Sequence, residues 1–82
     1  MRLPRRVDIG LAILRVRSVS KAELRREGEC DHEDDPTPDG LWDSEEETIL
    51  VGRWLNAKRK REVYAHELIH AVNDVAYWSQ HK

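Results

Sequence analysis

The sequence is poor in the features that would place this chain in several common protein classes. Its 82 residues include one cysteine, Cys30, so no disulfide can form within one chain, and we expect a reducing compartment. No stretch approaches the roughly 20 consecutive apolar residues that a membrane span needs. The N-terminal apolar run is broken by Arg15 and Arg17 and lacks a signal-peptide cleavage pattern. We therefore expect a cytoplasmic protein without a membrane partner.

Length and composition favour a single minimal domain over residues 1–82. Hydrophobic residues make up 39% of the chain and charged residues 37%, which leaves enough apolar side chains for a small core. Domains of this size bury a limited fraction of their surface and are often stabilised by a metal ion. They also have little room for substrate pockets. We therefore expect specificity to come from a protein partner or from homo-oligomerisation.

Positive charge is absent from the middle of the chain. Between residues 27 and 47, eleven of the 21 residues are acidic and none is Lys or Arg. A basic block, Lys58–Arg61, follows at the start of a predicted helix, where the helix dipole favours acids instead. We expect the acidic loop and Glu62 to compensate for that block. A nucleic-acid partner is disfavoured, because the loop would repel phosphates.

The first half of the chain predicts strands and a short helix. Residues 7–19 alternate apolar and polar side chains and then slip by one position. This pattern predicts one bent strand, or two short strands that meet near Gly10. Ser20 is a predicted cap for a helix of about two turns that ends at Gly28. Residues 40–55 predict two further strands around a polar turn.

The C-terminal part predicts one long helix. No Gly or Pro occurs from residue 57 to residue 78, and Asn56 is a suitable N-cap. Apolar residues recur at three- and four-residue spacing and predict the buried face of this helix: Ala65, Leu68, Ile69, Val72, Val75 and Ala76. The expected fold is α+β, with a small antiparallel or mixed sheet of about three strands packed on this helix.

The helix carries the motif His66-Glu67-Leu68-Ile69-His70, an H-E-x-x-H sequence. Two histidines at positions i and i+4 lie on one helix face, so their rings can converge on one zinc ion. Glu67 projects roughly 100° around the axis, beside the metal. A carboxylate there can take a proton from a zinc-bound water and return it to a leaving group. The motif therefore predicts Zn²⁺ ligands at His66 and His70 and a catalytic base at Glu67.

The stretch "VYAHELIHAVND" resembles the active-site helix of the zincin metallopeptidases. The preceding "GLWDSEEETILVGRWL" resembles the strand pair before this helix in very small zincin-like proteins, some of them encoded by phages. The resemblance implies that His66 and His70 bind zinc and that Glu67 is the general base. It also implies that a strand edge beside the helix holds an extended peptide by main-chain hydrogen bonds.

The sequence does not decide which residue is the third zinc ligand. Twelve residues follow His70 in this sequence, so we expect no glutamate ligand from a second downstream helix. The longer zincin motif is absent, because Asn73 and Ala76 occupy its glycine and last histidine positions. The main candidates are Asp74 and His81. A straight helix holds the Cα of Asp74 about 9 Å along the axis from the metal, which favours a role in orienting His70.

Other groups can also complete the zinc site. Cys30 and His32 reach it if the acidic loop folds over the helix, and a water molecule or a neighbouring chain is a further source. The sequence thus predicts a zinc-dependent metallopeptidase or related amide hydrolase acting on a peptide or protein. The alternative is a non-catalytic zincin-like module whose zinc is structural or absent. In that case the acidic loop and the basic block would be docking surfaces.

Overall fold

The computed structural model describes residues 3–30, 32 and 34–80 and shows an α+β fold. Its elements in chain order are the strands β1 (Arg6–Asp8) and β2 (Ile13–Val19), the helix α1 (Lys21–Glu27), the strands β3 (Gly40–Asp43) and β4 (Thr48–Gly52), and the helix α2 (Ala57–Gln80). Among these described residues, no helix combines the length and the apolar character that crossing a membrane requires.

The sheet is mixed and has four strands in the order β1-β2-β4-β3, so the expected count of about three is wrong. The extra strand arises because residues 7–19 form a hairpin, which is the second of the two predicted arrangements. Gly10 has a φ of 86°, and its N–H donates to the Asp8 carboxylate at 2.8 Å. This left-handed backbone suits glycine. β2 pairs with β4 in parallel, and the other two pairings are antiparallel.

Helices cover both faces of the sheet. Alternate residues of each strand point to opposite faces. On one face, the core under α2 is formed by Leu14, Val16, Ile49, Val51, Val63 and Ala71. On the other face, a smaller cluster contains Val19, Leu24 and Leu50. All five residues of β4 are buried, because this strand is central and covered on both sides.

Both helices begin at the predicted caps. The Asn56 side chain accepts a hydrogen bond from the N–H of Arg59 at 2.8 Å, and the Ser20 hydroxyl accepts one from the N–H of Glu23. The start of α2 at residue 57 is therefore confirmed, and its end lies two residues beyond the predicted one.

The predicted buried face of α2 is partly wrong. Ile69 is 62% exposed and Val72 is 39% exposed, whereas Val63 and Ala71 are buried. Leu68 and Val75 do pack against the core. The sequence carries apolar residues around much of this helix, and only the position of the sheet selects the face that is buried.

Gly40 lets α2 approach the edge strand β3 closely. A Cβ atom at position 40 would clash with the side chain of Val63 and would lie 2.9 Å from the carbonyl oxygen of Leu50. It would also lie 3.4 Å from Cγ of Glu67. The missing side chain at position 40 therefore brings the backbone of β3 alongside the H-E-x-x-H motif.

We expect Gly40→Ala to lower the free energy of unfolding by about 1–3 kcal/mol, because the added methyl overpacks a buried contact. Chemical denaturation monitored by circular dichroism measures this change. Gly52→Ala is the matched control. The three atoms nearest to a Cβ there all belong to the ring of Trp54, a side chain that is 38% exposed. Equal losses in the two variants would contradict the close packing of α2 on β3.

Candidate metal and catalytic site

His66 and His70 face each other on the exposed side of α2. Their Nε2 atoms lie 3.1 Å apart, and the ring planes are inclined by 77°. Such a pair has two chemical options. One ring donates a hydrogen bond to the other, or both rings direct a lone pair towards one cation. Helix geometry makes this convergence possible, because residues four apart lie one above the other.

The separation of the two nitrogens fits zinc. Histidine nitrogens bind Zn²⁺ at about 2.0–2.1 Å, and two of them in a tetrahedral site lie about 3.3–3.4 Å apart. The observed 3.1 Å requires a shift of only a few tenths of an ångström, which small side-chain rotations provide. Both rings are exposed, so their nitrogens are accessible to an ion from solvent.

Glu67 lies next to this pair in an open cleft of about 480 Å³ between α2 and the start of β3. His66 lines the same cleft, and residues 37–40 form its opposite wall. Glu67 is half-buried and packs beside Gly40. The side chain of Glu67 therefore lies on the side of α2 that faces β3.

Arg59 closes the N-terminal end of the cleft. Its Nε and Nη2 donate to one oxygen of Asp39 at 3.0 and 2.9 Å, and its Nη1 donates to Glu62 at 3.2 Å. For Arg59, these contacts are the compensation that was predicted from the acidic loop and Glu62. Hydrogen bonds to Asp39 and then to Glu62 raise the pKa of Arg59, so it stays cationic. On the core side of α2, burial raises the pKa of Tyr64, so its hydroxyl stays neutral.

Asp74 contacts the edge strand. Its Oδ2 accepts a hydrogen bond from Nε1 of Trp42 at 3.1 Å. The helix runs without a break through Asn73 and Asp74, so Asp74 keeps the axial distance from the histidine pair that its sequence position predicts. In this arrangement the carboxylate holds the indole of Trp42 against α2.

The other ligand candidates are separated from the histidine pair or lie outside the described residues. Cys30 and His32 lie in the loop beside α1, where the Arg25 guanidinium donates to the carbonyl of His32. Across residues 3–30, 32 and 34–80, no group of three or more His, Cys, Asp or Glu side chains is placed to hold a metal. His81 lies outside this range, and the third ligand stays a prediction.

Three features beside the site were not predicted from the sequence as parts of the site. They are Gly40, the Asp39–Arg59 pair and the Trp42–Asp74 hydrogen bond. The members of each pair are 20 and 32 residues apart in the chain. Opposite charges in the loop and at the helix start were the only sequence signal for the first pair. No local pattern marks the second.

Comparison with known proteins found no relative of this chain. No protein-family model, no curated protein and no solved structure matches the chain. Function is therefore inferred from the chemistry of α2 and its position against β3.

Proposed function

We propose that this protein is a zinc-dependent, zincin-like hydrolase of peptide or other amide bonds. The single observation that carries the proposal is the convergence of His66 and His70 at 3.1 Å, with Glu67 beside them in an open cleft. These residue types match the requirements of a catalytic zinc site, and one helix positions all three.

Each residue has a distinct role in the proposed reaction. His66 and His70 would hold Zn²⁺ through their Nε2 atoms, and a third group would complete the site. His81 stays a candidate for it, whereas the unbroken helix and the hydrogen bond from Trp42 disfavour Asp74 as that ligand. When bound there, Zn²⁺ would lower the pKa of the attacking water to near 7 and polarise the carbonyl of the scissile bond. Glu67 accepts the proton of the attacking water and delivers it to the departing amine.

The edge strand β3 supports a peptide as the substrate. β3 pairs with β4 on one side, and no other strand of the described chain pairs with its outer edge. The backbone groups of that edge can pair with an extended peptide. Because Gly40 packs beside Glu67, a peptide on this edge would pass close to the catalytic carboxylate.

Removing the metal and then adding it back tests this proposal. We expect hydrolysis of a mixed peptide library, followed by mass spectrometry, to stop after chelation and to return with about one equivalent of Zn²⁺ per chain. Magnesium serves as the control ion, because two imidazoles are poor ligands for it. Hydrolysis that persists in the chelated protein, or a protein that takes up no zinc, would overturn the proposal.

A second candidate function is a non-catalytic zincin-like interaction module. The observation that favours it is the row of apolar residues on the solvent face of α2, where Ile69 and Val72 are exposed. Exposed apolar patches often mark protein interfaces. A protein that binds zinc, cleaves no peptide and self-associates through Ile69 would favour this function over hydrolysis.

A further inference from the structure

A second open cleft lies at the opposite end of β3 from His66 and Glu67. We call it the tryptophan cleft. It has a volume of about 670 Å³ and lies between the last turns of α2, the end of β3 and the β1–β2 hairpin. Its apolar walls include Ile13, Trp42 and Trp78, and its rim carries the carboxylates of Glu45, Glu47 and Asp74.

The walls of the tryptophan cleft expose large apolar groups to solvent. Ile13 is 63% exposed and Trp78 is 59% exposed. Trp42 is fixed by its hydrogen bond to Asp74, and the ring of Trp78 stacks edge-to-face with that of Tyr77. Aromatic rings held in a concave surface are suited to bind a flat or elongated side chain.

The rim has a single sign of charge. Of the described residues that line the tryptophan cleft, three are carboxylates and none is Lys or Arg. Hydrogen bonds in the turn between β3 and β4 hold the backbone of two of these acids, Glu45 and Glu47. Asp43 accepts hydrogen bonds from the N–H groups of Glu45 and Glu46, and the carbonyl of Glu47 accepts one from the N–H of Arg15. The cleft therefore presents aromatic side chains beside negative charge.

These properties complement an arginine side chain. A guanidinium stacks on aromatic rings and pairs with carboxylates, while its aliphatic stem packs on apolar walls. Lysine shares the charge but lacks the planar group. An uncharged apolar side chain would leave the acidic rim without a cationic partner.

The tryptophan cleft is also within reach of a peptide on β3. Asp74 follows Glu67 by seven residues, which is about 10.5 Å along the axis of α2. An extended peptide covers that distance in about three residues. One chain lying along the edge of β3 can therefore reach the catalytic carboxylate and the tryptophan cleft together.

We propose that the tryptophan cleft recognises an arginine of the peptide substrate, about three residues from the bond that is cleaved. The position of the cleaved bond in this proposal rests on the proposed hydrolase function. The recognition itself depends only on the walls and rim of the cleft.

Binding to a hydrolysis-deficient protein tests the recognition separately from catalysis. The probe is a fluorescent extended peptide with one central arginine, compared with the same peptide carrying glutamine, in the zinc-loaded Glu67→Gln protein. We expect the arginine peptide to bind about tenfold more tightly, because it adds an ion pair and an aromatic stack. Glu47→Lys is expected to remove most of this difference, since it replaces attraction with repulsion.

Glu46→Lys is the matched control. It makes the same change in net charge one residue away, but Glu46 lines a different cleft, with Arg15 and Arg17. We expect it to weaken binding by less than about twofold, because exposed charges outside direct contact are screened by salt. Trp78→Ala gives a second test that leaves the rim charges intact, and it too should lower the affinity for the arginine peptide.

Equal affinity for the arginine and glutamine peptides would overturn the proposal, as would equal effects of Glu46→Lys and Glu47→Lys. Arginine-selective binding without any cleavage by the wild-type protein would overturn the proposed hydrolase function and leave the recognition standing. Cleavage by the wild type with no arginine preference would overturn the arginine recognition and leave the hydrolase function standing. Cleavage products with arginine about three residues from the new terminus would support both.

Discussion

Replacing His66 or His70 with alanine is expected to lower zinc content from near one ion per chain to near none at neutral pH. The two rings converge from one helix face, so the loss of either leaves a single histidine and removes the preformed pair. Loss of groups that only support zinc ligands costs about 10–100-fold in affinity, and loss of a ligand is expected to exceed that. Elemental analysis and competition with a chromophoric chelator measure both quantities.

His32→Ala is the control for the histidine variants. His32 is exposed, as both site histidines are, but it lies in the loop beside α1. Its replacement should leave the zinc content unchanged. Zinc content that persists in both His66→Ala and His70→Ala, or that falls only in His32→Ala, would place the metal elsewhere. Circular dichroism of each variant separates loss of zinc from loss of fold.

Replacing Glu67 with glutamine is expected to lower the hydrolysis rate by about 10²–10⁴-fold while zinc content stays near one per chain. Glutamine has nearly the same shape, so the packing beside Gly40 is kept, but it does not accept the proton of the attacking water. Peptide hydrolysis measured in parallel with metal analysis gives both numbers from one preparation.

Glu62→Gln provides the comparison for this variant. Glu62 lies on the same helix and lines the same cleft, and its carboxylate pairs with Arg59 on the surface. Surface pairs of this kind contribute little to stability, so we expect its hydrolysis rate to stay within about threefold of the wild type. A Glu67→Gln protein that hydrolyses peptides as fast as Glu62→Gln would remove Glu67 from the reaction. A Glu67→Gln protein that loses zinc would assign Glu67 to metal binding.

The parts of the structure that depend on neighbours in the chain follow the sequence closely. The caps at Ser20 and Asn56, the long α2 and the convergence of His66 and His70 all involve residues within four positions of each other. Helix geometry brings these residues to the same turn or face, and local side-chain rotamers complete the contacts. The candidate catalytic motif is therefore a local feature, which is why five consecutive residues were enough to predict it.

Structural features that depend on contacts between distant segments of the chain could not be predicted from the sequence in the same way. The sequence left open whether residues 7–19 form one strand or two. In the structure, a turn at Gly10 separates two strands. Ile69 and Val72 were expected in the core because their spacing is helical. The sheet instead contacts the face that carries Val63 and Ala71, and Gly40 allows a close approach at Val63.

The sequence by itself determined the chemistry of the site: two imidazoles and one carboxylate on a single helix. Only the tertiary structure decided what surrounds that chemistry. The open edge of β3 beside Glu67, the Arg59–Asp39 contact and the tryptophan cleft each join segments that are distant in the chain. The physical reason is that helix geometry is local, whereas the packing of a helix on a sheet depends on how all the apolar surfaces are buried together.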